Sequence, residues 1–167
     1  ITVIPWGINQ DTFHPCEDIK ASRTKLKNKF GINKDYFVAI SCSEGRKNTP
    51  MLLKCYTDLL KQNPKNDLVL VWNAPEAIRK QYNHPRIHFL SNVSDDDLRS
   101  LYSCASATVY PSHYEGFGLP VLESMSCGTP VICSDVSSLP ELGGDFSYYI
   151  DPSSEASLFK ALQEVDT

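Results

Sequence analysis

Six short runs of apolar and β-branched residues, at 37–41, 68–72, 86–90, 108–110, 130–133 and 148–150, recur along this chain with helical patterns between most of them. Strands that alternate with helices predict an α/β domain with a doubly wound parallel sheet, covered by helices on both faces. The intervening segments carry helix signals of their own. Leu52, Tyr56, Leu59 and Leu60 repeat on one face of 50–61, with Thr49 the expected N-cap, Pro50 at the first helical position and Asn63-Pro64 beyond the end. Ser94 before Asp95, Asp96 and Asp97 predicts the start of a helix carrying Leu98, Leu101 and Tyr102. A last amphipathic helix is expected over 153–165, with Leu158, Phe159, Leu162 and Val165 turned inward.

A length of 167 residues suits one domain with a sizeable core, and neither a repeat, a linker nor a charge block divides it. The net charge of −4 means that an anionic ligand must be drawn by local groups, and nucleic acid is not an expected partner. The six cysteines, at 16, 42, 55, 104, 127 and 133, form no C-x-x-C pair and fall mostly among core-like segments. They are expected to be buried reduced thiols, which points to a reducing compartment and a cytoplasmic location. No apolar run has the length of a membrane span, and the first residues do not resemble a signal peptide. Residue 1 is isoleucine, so a longer protein is expected.

The chemistry concentrates where the apolar run at 108–110 gives way to a helix. Glu115 and Glu123 bracket Gly116-Phe117-Gly118-Leu119-Pro120-Val121-Leu122 there. A glycine-bearing strand-to-helix turn offers backbone N–H groups and the positive end of a helix dipole to a phosphate. The flanking carboxylates accept hydrogen bonds from hydroxyl groups, so the segment complements a ligand with both phosphate and polyol parts. Arg46 and Lys47 precede the helix start at Thr49-Pro50, and their charges would converge with its free N–H groups on a diphosphate. Asp95-x-Asp97 looks like a metal-binding D-x-D, but three aspartates in a first helical turn are explained by the helix dipole. His84 and His88 have no metal spacing, His113 is notable only for its place near Glu115, and no Ser-His-Asp or Cys-His pattern supports acyl transfer.

The run Tyr110-Pro111-Ser112-His113-Tyr114-Glu115-Gly116-Phe117-Gly118-Leu119-Pro120-Val121-Leu122-Glu123, continued by Ser124-Met125-Ser126-Cys127-Gly128-Thr129-Pro130, resembles the E-x7-E signature of glycosyltransferase family 4. The likeness extends through Val93–Leu98, Ser134–Glu141 and Asp151-Pro152, and back to Val3-Ile4-Pro5-Trp6-Gly7-Ile8-Asn9. It implies the Rossmann-like C-terminal half of a GT-B enzyme, which holds a nucleoside diphosphate sugar while a separate N-terminal domain holds the acceptor. It implies retention of anomeric configuration. No metal is expected, because Arg46, Lys47 and backbone N–H groups are the phosphate partners with no paired carboxylates at the diphosphate, and no cofactor is expected besides the donor. By the same resemblance Glu115 lies at the donor sugar as the catalytic group and Glu123 contacts the ribose hydroxyls. The backbone of Gly116, Phe117, Gly118, Leu119, Val121 and Leu122 meets phosphate, and the loop around Asn92 and Val93 passes the base. Family members carry a Gly-Arg pair some five residues before the lysine that Lys47 matches; this chain has Ser41-Cys42 there, and Arg46 is the expected replacement. The Ser-x-x-Glu-Gly-Phe-Gly-Leu-Pro form of the motif resembles that of mannosyltransferases, and this resemblance implies GDP-mannose over a UDP-sugar. Two other functions fit the fold: a nucleotide-sugar sensor without turnover, and a sugar-nucleotide epimerase, which the intact E-x7-E run disfavours.

Overall fold

A computed structural model describes residues 6–166. All six expected strands form, each within one residue of its expected bounds: β1 (Tyr36–Ile40), β2 (Asp67–Val71), β3 (Ile87–Leu90), β4 (Ala107–Tyr110), β5 (Val131–Ser134) and β6 (Ser147–Ile150). They make one parallel sheet in the order β3-β2-β1-β4-β5-β6. The helices among the described residues are α1 (Ile19–Phe30), α2 (Thr49–Leu60), α3 (Glu76–Gln81), α4 (Asp95–Cys104), α5 (Leu119–Ser126), α6 (Leu139–Gly143) and α7 (Glu155–Val165).

Strands β1, β2, β4 and β5 are buried along nearly all of their length, as a parallel sheet covered on both faces requires. The two-residue period of β1 sorts the core. Phe37 and Ala39 join Leu52, Tyr56, Leu158 and Leu162 of α2 and α7 on one face. Tyr36 and Val38 join Leu26 of α1 and Leu101 and Tyr102 of α4 on the other. Within α7, Leu158 and Leu162 are fully buried while Phe159 and Val165 pack at the margin.

Two local readings need correction. Thr49 is inside α2 rather than its cap, and its hydroxyl donates to the Cys42 carbonyl at 3.3 Å. The cap position is held by Asn48 at φ +54°, whose side-chain amide donates to the Pro152 carbonyl at 2.9 Å instead of capping. Cys16 and Cys42 are only half buried; the other four cysteines are buried, and burial pushes Cys55, Cys104, Cys127 and Cys133 up to about 11, leaving them as inert thiols. Ser94 does cap α4: its hydroxyl accepts from the Asp97 N–H, and Asp97 reaches back to the Ser94 N–H.

The chain reverses its direction of winding between β1 and β4. Loops leaving the carboxyl ends of two such neighbouring strands part to opposite faces and leave a crevice between them, the place where doubly wound sheets bind ligands. Here those loops are 41–48 and 111–118.

Candidate functional site

The β1 loop contains a single 3-10 turn, Gly45–Lys47, and the β4 loop contains Glu115. They are tied together by the His113 N–H, which donates to the Arg46 carbonyl at 2.9 Å. Across this seam Arg46 Nη1 donates to Glu115 Oε2 at 2.5 Å, and Lys47 Nζ forms an ion pair with Glu115 Oε1 at 3.0 Å. The same ammonium donates to the hydroxyl of Tyr110, the last residue of β4. Glu115 is 7% exposed and Lys47 11%, whereas Arg46 is 39% exposed.

Burial alone would raise the Glu115 carboxyl, but the Lys47 ammonium and the hydroxyls of Ser112 and Tyr110 outweigh it and hold the group below the usual carboxylate range. Burial likewise lowers Lys47, and Glu115 opposes that shift. Tyr110 is pushed well above the usual phenol range, first by burial and then by the charge of Glu115. The result is a carboxylate fixed between two cations at the floor of the crevice.

Two serines after β5 hold the β4 loop in shape. The Glu115 N–H donates to Ser137 Oγ at 3.1 Å, and Ser138 Oγ donates to the carbonyls of Phe117 at 2.6 Å and Glu115 at 3.3 Å. The sequence alone does not single out Tyr110, Ser137 and Ser138 as site residues. Their signal is position alone: the last residue of a central strand, and a hydroxyl pair opening the short helix beside the bracket.

Gly118 occupies the N-cap of α5 at φ +105°, and an added Cβ would lie 2.7 Å from Leu139 Cδ2 and 3.2 Å from Leu142 Cδ1. Backbone conformation and packing both demand glycine here. Gly116 is under neither constraint, with nothing within 4 Å of an added Cβ. Helix α5 has no side-chain cap, and neither has α2. By contrast α1, α4 and α7 are capped by Asp18, Ser94 and Ser154. The two longer helices that begin at the crevice thus have amide ends not closed by a side chain, as do the short α3 and α6. Val121 is a partial exception among the expected backbone donors, because its N–H already donates to the Gly118 carbonyl at 2.9 Å.

Glu123 sits one turn beyond Leu119, half buried, and does not join the ion cluster. It accepts from the Tyr102 hydroxyl of α4 at 3.2 Å. Burial raises its carboxyl above the ordinary value, with Tyr102 opposing and Asp95 adding to the rise. Asn92, exposed at φ +55°, and Val93, packed at the margin of the core, lie at the carboxyl end of β3, just before the start of α4. The structure thus brings Arg46, Lys47 and Glu115 into contact, sets 116–122 beside them by chain continuity, and sets Glu123 against α4 and Asn92 and Val93 at the start of that helix.

The other polar clusters have structural tasks. Asp97 is buried against Lys29 at 2.5 Å and Lys25 at 3.0 Å as well as capping α4. His88 and Arg86 both bind Asp67, at 3.1 and 2.7 Å, where β2 begins and hence at the opposite end of the sheet from the crevice. No helix among the described residues is long and apolar enough to cross a membrane.

A doubly wound parallel sheet with a carboxylate and two cations paired at its switch point defines the class: a Rossmann-like α/β domain. The family model described as glycosyl transferases group 1 matches residues 22–165, and the chain belongs to that family. It is 38% identical over 144 residues to an O-antigen chain mannosyltransferase B of Escherichia coli, covering 77% of this chain and 37% of that protein. It is 31% identical over 138 residues to the O-antigen chain mannosyltransferase RfbU of Salmonella typhimurium, covering 79% and 38%. The chain therefore spans well under half the length of these relatives. Among solved structures it resembles the C-terminal domain of a glycosyl transferase group 1 family protein (LpcC) from Francisella tularensis, with a TM-score of 0.78 at 25% identity, covering 95% of this chain and 87% of that one. The Rossmann-like parallel sheet expected for one half of a GT-B enzyme is the fold found.

Proposed function

We propose that this chain is the donor-binding half of a retaining family 4 glycosyltransferase that moves mannose from GDP-mannose to an acceptor hydroxyl held by a separate N-terminal domain. The observation that carries this reading is the Arg46–Glu115–Lys47 cluster at the switch point. In such a transfer the bond between the anomeric carbon and the diphosphate oxygen breaks. Negative charge collects on the departing diphosphate, a new bond forms to the acceptor oxygen, and the acceptor's proton passes to the diphosphate. Arg46, Lys47 and the amide ends of α2 and α5 are the groups able to stabilise that charge, with no metal or further cofactor in the scheme.

Glu115, between the two cations of the same cluster, is the catalytic carboxylate that answers positive charge developing on the sugar. Glu123 takes the ribose hydroxyls, and the backbone at Asn92 and Val93 takes the base. Gly116 and Phe117 line the approach between the glutamates, where the Phe117 ring lies 6.3 Å from that of Trp6. The two curated relatives described above are both named mannosyltransferases, which supports mannose over other hexoses. A cytoplasmic setting, where such donors are at hand, completes the reading.

Isothermal titration with GDP-mannose, GDP, UDP-glucose and UDP, each with and without EDTA, tests it. The expected order places the GDP compounds tightest and unaffected by chelation. A preference for UDP compounds would move the donor assignment, a tenfold loss on chelation would reveal a metal requirement, and binding by none of the four would end the donor-site reading.

A further inference from the structure

The anion held by Arg46 and Lys47 is one that the chain supplies itself. Glu115 Oε2 lies 2.5 Å from Arg46 Nη1, and Oε1 lies 3.0 Å from Lys47 Nζ, so one carboxylate engages both cations. A diphosphate would require those same N–H directions, because guanidinium and ammonium groups meet carboxylate and phosphate oxygens in the same way. The three side chains are not equally free to rearrange. Lys47 is 11% exposed and bonded to Tyr110, whereas Arg46 is 39% exposed and its other terminal nitrogen has only a 3.5 Å contact to the exposed Glu44.

We propose that Glu115 is an internal competitor for this cation pair: the donor diphosphate takes Arg46 from its carboxylate, and the carboxylate is thereby released toward the sugar. The proposal rests on the donor-site reading above and adds an order of events to it. Arrival of the diphosphate uncovers the group that acts on the sugar, so the carboxylate stays neutralised until a donor is seated. Because the carboxylate and a bare anion compete for the same N–H groups, removing the carboxylate's charge while keeping both cations must tighten the hold on the anion.

The alternative role for Glu115 is to orient the two cations, and it predicts the opposite effect of its removal. Inorganic pyrophosphate and GDP are titrated into the wild-type chain and into Glu115→Gln, Glu115→Asp and Glu44→Gln. Glu115→Gln is expected to bind pyrophosphate about tenfold more tightly, within the usual span of site couplings, and Glu115→Asp to fall between it and wild type. Glu44→Gln removes the same charge from an exposed neighbour and is expected to change affinity by less than about twofold. Equal or weaker pyrophosphate binding by Glu115→Gln overturns the proposal while leaving the donor site in place. So does a gain in Glu44→Gln as large as that in Glu115→Gln, since net charge would then explain both. If Glu115→Gln does not fold, Glu115→Asp decides by the same criterion. Failure of all the chains to bind either probe removes the donor-site reading and the proposal with it.

Discussion

The hydroxyl of Tyr102 donates to Glu123 Oε2 across 3.2 Å, so the second glutamate of the bracket is carried by α5 but oriented by α4. A carboxylate aimed in this way can accept from vicinal hydroxyls without first losing side-chain freedom. Glu123→Gln keeps the shape and removes the charge, and it is expected to weaken GDP by roughly 1–3 kcal/mol. Tyr102→Phe acts only through Glu123, so its expected cost is smaller, about 1 kcal/mol. Pyrophosphate, which lacks a ribose, should bind both variants as it binds wild type. Calorimetry with the two ligands separates these outcomes, and a matching loss for pyrophosphate would move Glu123 to the phosphate.

The two glycines of the bracket divide into one that the fold needs and one that it does not. Gly118→Ala meets both the positive φ and the 2.7 Å approach to Leu139, and a cost of about 1–3 kcal/mol is expected from the backbone conformation alone. Gly116→Ala has open space and an ordinary φ, so its stability should stay within about 0.5 kcal/mol of wild type. Its new methyl group stands on the exposed approach between the glutamates, and donor affinity should fall while the urea midpoint holds. A Gly116→Ala chain that unfolds early, or binds GDP-mannose normally, contradicts this division.

Asp97 is the clearest case of an acidic residue with a structural task. It closes the capping box of α4 and accepts from Lys29 at 2.5 Å, with Lys25 at 3.0 Å, which joins α1 to α4. Asp97→Asn keeps the shape but loses the charge, and a loss of about 1–2 kcal/mol is expected, the size of a helix cap. Pyrophosphate binding should be unchanged, since α1 and the Asp97 side chain lie away from the cation pair. Urea denaturation and pyrophosphate titration of this one variant check both halves.

The strands were readable because the four central ones are buried on both faces, which leaves continuous apolar runs such as Leu68–Val71 in the sequence. Helix α1 was not, because Leu26 is its only fully buried residue, and that apolar contact with α4 is supplemented by ion pairs from Lys25 and Lys29. Asn48 displaced Thr49 as the cap through its left-handed backbone, a feature with no sequence pattern of its own. In the same way Arg46, Lys47 and Glu115 could each be picked out as residues, but not their contact. Arg46 and Glu115 are 69 residues apart, and they meet because β1 and β4 are neighbours at the switch point. The Tyr110 hydroxyl was hidden for a related reason: it reads as one more aromatic residue at a strand end until the ammonium of Lys47 is placed against it.

The two glutamates should also pull acid stability in opposite directions. Glu115 is held below its ordinary value of 4.5. Its contribution to stability is therefore present above that value and is lost as pH falls through the lower value of the folded chain. Glu123 is raised above the same ordinary value, chiefly by burial. Its protonated form is favoured on folding, so its contribution is present below 4.5 and is lost as pH rises through the folded value. At pH 7 an ionised Glu123 is thus a cost that Glu123→Gln removes, and the variant should be as stable as wild type or more so. Near pH 4 wild-type Glu123 is largely protonated, and that advantage should shrink. Glu115→Gln should behave the other way, destabilising most at pH 7 and least in acid. Urea midpoints for the three chains at pH 7 and pH 4 decide the matter. Parallel shifts of both variants with pH would mean that the two carboxylates do not have the opposed environments described for them.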